Sequence, residues 1–180
     1  MKKKLFSHTQ GFTLVEMLVV IGILALLAGL VIATLNPIAQ FQKGRDAERK
    51  SDLSQIQKAL EQYYQDTGSY PASNASFQIV GLNATAVPFG KSDLNDWPYM
   101  NQLPQDPDSN RTYVYYATNS NQTYYLYASL ERSNDPQSCN GGAACNTLGG
   151  PGFPTVHACS PKQKPGITCN YGLTSPNTAP

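Results

Sequence analysis

The chain has 180 residues, 13 Lys+Arg against 12 Asp+Glu, and a formal net charge of +1. That balance does not indicate the strongly basic surface of a nucleic-acid-binding protein, and the length leaves room for one domain beside an anchor. With His8 and His157 as its histidines and no G-x-S-x-G, H-E-x-x-H or phosphate-loop pattern, the sequence offers no motif on which an enzyme class could rest.

The first element is a membrane-length apolar run. From Met17 to Leu35, Thr34 is the one clearly polar side chain, and at a rise of about 1.5 Å per residue such a helix just crosses a 30 Å hydrocarbon core. Lys2, Lys3 and Lys4 precede it and hold that end in the cytoplasm. A secretory signal peptide is cut after its apolar run, behind small residues. Here the candidate cut, between Gly11 and Phe12, precedes the run, so the helix stays in the mature chain. Removing three lysines with residues 1–11 takes the formal charge from +1 to −2. Glu16 lies at the edge of the run, where a carboxylate costs about 2.5 to 3.5 kcal/mol even on lenient insertion scales. It is therefore expected to have a partner.

Gly11-Phe12-Thr13-Leu14-Val15-Glu16 followed by an apolar helix resembles the prepilin signature of the type IV pilin and type II secretion pseudopilin superfamily. The resemblance implies that a prepilin peptidase cuts after Gly11 and methylates the new amine of Phe12. It also implies that Glu16 neutralises the Phe12 amine of an adjacent subunit during assembly, which fixes register, the best-attested use of a buried ion pair. The implied partners are further copies of the chain in a helical filament, the peptidase, a pilus or secretion assembly platform and the membrane, with no specific nucleic acid. The chain would sit in the inner or cytoplasmic membrane as a single-pass protein, N-terminus cytoplasmic, and then in an extracellular or cell-surface filament.

The helix is expected to continue past the membrane. Leu53, Ile56, Leu60 and Tyr63 or Tyr64 recur at spacings of three and four, an apolar stripe that needs a sheet to cover. Gly68 and Pro71 stop it. Pro37 removes a backbone donor and crowds the carbonyl of Ala33, so a kink or melted stretch is expected near Asn36-Pro37; in the resembling filaments a segment here unfolds locally. Between Lys43 and Asp52 the charges are dense and read as a solvated helix face, with inter-subunit or lipid contacts the rarer alternative.

Beyond Pro71 the period changes. Residues 72–110 are turn-rich around Trp97. Thr112 to Thr118 and Thr123 to Leu130 are aromatic and β-branched, and predict an antiparallel hairpin over about 112–130. Tyr124, Leu126, Ala128 and Leu130 share the face that should meet the helix stripe. Sheet packing accounts for most of the 11 tyrosines. Major pseudopilins often carry a calcium site in a later loop; Asp106 and Asp108 could offer oxygens, but fall far short of the six to eight ligands calcium takes. No cofactor is expected.

The glycine- and proline-rich C-terminal third holds Cys139, Cys145, Cys159 and Cys169. In an exported, loop-rich segment these read as disulfides with three conceivable connectivities. Cys139 with Cys145 and Cys159 with Cys169 are the expected pairs, and neither spacing suits zinc. The fold class is thus α+β. A long N-terminal helix, membrane-spanning in its first half, packs through its second half on a small antiparallel sheet, with a disulfide-stapled C-terminal region. The domains are a leader 1–11, a transmembrane and filament-core helix 12–36, an amphipathic helix 37–66 and a globular headgroup 67–180. The expected function is a structural subunit of a type IV pilus-like filament. The retained Glu16 and the long C-terminal region favour a pilus; the alternatives are a major pseudopilin of a type II secretion system and a monomeric membrane-anchored adhesin or binding module.

Overall fold

Among the described residues, two α-helices and five short strands follow one another as α1 (Leu14–Thr34), α2 (Pro37–Thr67), β1 (Ile79–Val80), β2 (Ala86–Val87), β3 (Val114–Thr118), β4 (Thr123–Ala128) and β5 (Tyr171–Thr174), with a short 3-10 turn at Cys139–Gly142 before β5. They are seen in a computed structural model that describes residues 11–34, 36–92, 95, 97–118, 120–145, 159–160 and 166–176. Lys2, Lys3, Lys4, His8, Leu35, Asp96, Asn119 and His157 lie outside the described residues. The chain divides into two units, Met1–Gln40 and Phe41–Pro180.

In the first unit, α1 is apolar all round and its large side chains from Leu14 to Ile32 are exposed. A helix of that kind needs hydrocarbon or other helices about it. The interruption expected near Asn36-Pro37 is present: α1 ends at Thr34 and a new helix begins at Pro37. Pro37 is the first residue of α2, and Asn36 Oδ1 accepts the Ala39 N–H at 3.2 Å. At this N1 position the missing proline N–H has no intrahelical acceptor to lose, so the proline starts a helix rather than damaging one.

In the headgroup, α2 buries Leu53, Ile56, Ala59 and Leu60, the predicted stripe. It ends where Gly68, at a φ of 73°, donates its N–H to the Tyr64 carbonyl at 2.8 Å, a left-handed cap that a side chain would strain. β3, β4 and β5 form one antiparallel sheet in that order. β1 and β2 form a second, two-stranded piece pairing Ile79 with Val87.

The two faces of the main sheet do different work. Tyr115, Tyr124, Leu126 and Ala128, joined by Leu130 and Tyr171, pack with Leu53, Ile56 and Leu60, which is the helix-facing set read from alternation. Trp97 closes one end of that core, fully buried and stacked on Tyr63 with ring centroids 5.2 Å apart. On the opposite face Val114 and Tyr127 pack with Cys145, Cys159 and Cys169. There Gly172 lies under the Tyr127 ring, and a Cβ on it would come 2.4 Å from Tyr127 Cδ1. β5, absent from the sequence reading, places Tyr171–Thr174 at the edge of the sheet beside β4.

The disulfides join Cys139 to Cys145 and Cys159 to Cys169. Closing loops this short stabilises by about 2 to 3 kcal/mol each on the chain-entropy model. Because Cys159 and Cys169 are also fully buried, replacing both with alanine should lower stability by about 2 to 5 kcal/mol. Thermal unfolding of the full chain in detergent measures this; an unchanged midpoint would show that the bond contributes nothing.

Candidate functional site

At the start of the first unit Gly11 has open space where a Cβ would stand, and Phe12 is 79% exposed. Thr13 and Glu16 then bond reciprocally. Glu16 Oε2 accepts the Thr13 backbone N–H at 2.8 Å and the Thr13 hydroxyl at 2.7 Å, while Thr13 Oγ1 accepts the Glu16 N–H at 3.2 Å. With α1 beginning at Leu14, Thr13 is the N-cap and Glu16 the third helical residue, which is a capping box. Glu16 also places negative charge at the positive end of the helix dipole. Within one chain the glutamate therefore has a partner, Thr13, next to the Phe12 whose amine cleavage after Gly11 would expose. From Leu14 to Ile32 the helix is long and apolar enough to cross a membrane by length and composition, with no part of it buried.

The headgroup holds a second polar constellation, and here the sequence reading needs correction. The charges between Lys43 and Asp52 are not simply a solvated face, because Asp46 and Arg49 are buried at 1% and 0% exposure. Arg49 grips Asp106 with two hydrogen bonds, Nε to Oδ2 at 2.9 Å and Nη2 to Oδ1 at 2.8 Å. It also donates through Nη1 to Asp46 Oδ1 at 2.8 Å and lies 2.9 Å from Glu131 Oε1. Asp46 in turn accepts the backbone N–H groups of Glu131 and Arg132 at 2.8 and 3.1 Å. Arg45 donates through Nε to Glu131 Oε1 at 2.7 Å. The hydrogen bond from Arg45 is the leading reason that the Glu131 carboxyl is held below the usual glutamate range, against a smaller upward push from burial.

One turn of helix thereby ties together three segments distant in sequence: α2, the loop around Asp106 and the strand exit at Glu131. Asp46 and Arg49 are three residues apart, and Arg49 is four before Leu53, so the buried face of α2 simply continues into its charged turn. Extending the apolar period backward would have found them. Next along the helix, Lys50 Nζ donates to Asp135 Oδ1 at 2.6 Å. Burial raises the Asp135 pKa, but the Lys50 bond and the Gln137 N–H outweigh it and hold the carboxyl below its ordinary value.

Asp106 and Asp108, singled out in the sequence as possible oxygen donors, are engaged within the chain. Both oxygens of Asp106 are occupied by Arg49, and Asp108 accepts from the Asn110 N–H and the Arg111 guanidinium. Among the described residues no group of three or more His, Cys, Asp or Glu side chains is placed to hold a metal. Of the other residues singled out in the sequence, Gly11, Phe12 and Glu16 lie together at the start of α1, Pro37 opens α2, and the four cysteines gather under the outer face of the sheet.

Comparison with known proteins agrees with both units. The model of the prokaryotic N-terminal methylation motif matches residues 6–32, and that of type II secretion system protein G matches residues 36–141. The type II secretion system core protein G of Aeromonas hydrophila is 36% identical over 101 residues, 56% of this chain and 68% of its own length. That of Pseudomonas aeruginosa is 31% identical over 119 residues, 66% of this chain and 81% of its own. The type IV wide pilus major component PilA4 of Thermus thermophilus is 35% identical over 78 residues, 43% of this chain and 58% of its own. No solved structure matches the chain. With more than half its residues matched by that model, the chain belongs to the type II secretion system protein G family within the pilin and pseudopilin superfamily.

Proposed function

We propose that this chain is the structural subunit of a pilin-like filament, cut after Gly11, methylated on the Phe12 amine and polymerised through α1. The observation that carries this reading is α1 itself. A helix whose large side chains are exposed from Leu14 to Ile32 presents far more apolar surface than a soluble monomer sustains, so it needs lipid first and neighbouring helices afterwards. In this reading residues 1–11 are the leader, 12–36 the membrane and core helix, 37–66 the amphipathic helix and 67–180 the headgroup. The subunit waits in the inner membrane with its N-terminus cytoplasmic and catalyses nothing. Further copies of the chain, a prepilin peptidase and an assembly platform are its partners.

Within that class the sequence alone favours a pilus, whereas the protein G family match shifts the weight to a secretion pseudopilin. The pilus reading keeps the support of the PilA4 relative. Immunogold electron microscopy of sheared surface fractions, scored beside export by a strain lacking the gene, tests the proposal. A long surface filament containing the chain supports the pilus, and stalled export without such filaments supports the pseudopilin. Recovery of the chain as a membrane-bound monomer, with export intact and no filament, would overturn both and leave an anchored binding module.

A further inference from the structure

The superfamily resemblance implies a calcium-bound loop beyond the hairpin, and the chemistry of this chain contradicts it there. After β4 the carboxylates are Glu131 and Asp135, and residues 136–180 contain no Asp or Glu. Both already face cations supplied by the protein. Glu131 is held by Arg45 and Arg49. Asp135 Oδ1 accepts Lys50 Nζ at 2.6 Å and the Gln137 N–H at 3.0 Å, and its Oδ2 lies 3.7 Å from Arg132 Nη1.

Three nearby carbonyls are engaged as well. The Ser129 carbonyl accepts from Arg111, that of Leu130 from Asn170 Nδ2, and that of Asp135 from the Ser138 hydroxyl. The Lys50 ammonium also sits 5.7 Å from the centroid of the Tyr171 ring, an aromatic face that favours a cation. A calcium ion, which takes six to eight oxygens at about 2.3 to 2.6 Å, would have to evict the ammonium and strip these carbonyls of their donors.

We propose that Lys50, beside Arg49, is the built-in cation of this headgroup, holding the segment from Ser129 to Cys145 in place of a divalent ion. The ammonium brings its charge from α2 and therefore couples that segment to the helix, and the Cys139–Cys145 bond closes the loop just beyond Asp135.

Equilibrium dialysis of the full chain in detergent against radiolabelled calcium tests the idea, together with thermal unfolding in EGTA and in millimolar calcium. The expected result is no bound calcium and the same midpoint in both buffers. One ion per chain, or an upward shift of about 5 to 10 °C such as a ligand at a hundred times its dissociation constant produces, would overturn it. Lys50→Met keeps the aliphatic stem and removes the charge; its midpoint should fall in both buffers alike. A midpoint equal to the parent's would show that the ammonium is not what holds the segment. Should that variant fail to fold, the dialysis result on the parent chain still decides.

Discussion

Arg49→Met should cost the headgroup about 3 to 5 kcal/mol, the usual penalty for removing one partner of a buried ion pair and leaving the other charged. Three carboxylates, on Asp46, Asp106 and Glu131, lie within 2.9 Å of this one guanidinium. Without it, Glu131 keeps Arg45, but Asp46 and Asp106 keep only backbone N–H donors in a buried setting. Arg49→Lys should recover only part of the loss. An ammonium cannot reproduce the parallel pair of bonds to Asp106 while also meeting Asp46 and Glu131. Chemical denaturation of the full chain in detergent measures both variants, and a loss under about 1 kcal/mol for Arg49→Met would show that water replaces the cation with ease.

The pH dependence follows from the same geometry. In the parent the Glu131 pKa is depressed, chiefly by the Arg45 hydrogen bond, from an ordinary value of 4.5. A depressed carboxylate contributes stability that is present above its unfolded pKa and is lost as pH falls through the folded one. The parent should therefore weaken below pH 4.5. In Arg49→Met, Glu131 loses one of the two guanidinium groups that hold its carboxyl down and takes up a proton more readily, so the deficit should be widest near neutrality and narrow in acid. A deficit that stayed constant across this range would argue that Arg49 acts by packing alone.

Glu16→Gln should leave insertion and helix formation intact and yet reduce assembly by about 100-fold per added subunit. The size comes from the roughly 2.5 to 3.5 kcal/mol that an uncompensated charge costs in hydrocarbon, at about 1.4 kcal/mol per factor of ten. Glutamine is the informative replacement because it serves the third helical position of a capping box as glutamate does. It can keep the bonds to the Thr13 N–H and hydroxyl seen at 2.8 and 2.7 Å. What it removes is the negative charge that the proposed filament places against the Phe12 amine of a neighbouring copy. Alanine would remove charge and cap together and confuse the two. Filament yield from sheared fractions, or crosslinking between copies in membranes, is the readout. Normal assembly by the glutamine variant would mean that Glu16 acts as a helix cap and that inter-subunit neutralisation is not required.

The helix stripe and the aromatic hairpin were legible in the sequence because each depends on a local period. Leu53, Ile56 and Leu60 repeat with the helical turn, and Tyr124, Leu126 and Ala128 alternate with the pleat, so burial followed from spacing. The Arg49 cluster was hidden because charge ordinarily marks solvent; its partners Asp106 and Glu131 lie 57 and 82 residues away. β1 and β2 are too short for any period to appear. β5 has a glycine in its middle, which reads as a break until the Tyr127 ring above Gly172 is known. The capping box is written in the letters Thr13-x-x-Glu16, but a carboxylate at the edge of an apolar run satisfies two rules at once, and its cost in hydrocarbon points to a distant partner while Thr13 lies three residues away.

The sulfurs beneath the sheet also set an order of events. Cys145, Cys159 and Cys169 are part of a hydrophobic cluster with Val114 and Tyr127 rather than a clasp on the outside. In a reducing cytoplasm, where thiols stay free, that side of the sheet would lack both covalent closures while the helix-facing side was already sealed. A chain anchored by α1 would complete its headgroup only after emerging on the oxidising side. Redox compartment then becomes a checkpoint on maturation, since a subunit still inside the cell is unfinished on the face its disulfides close.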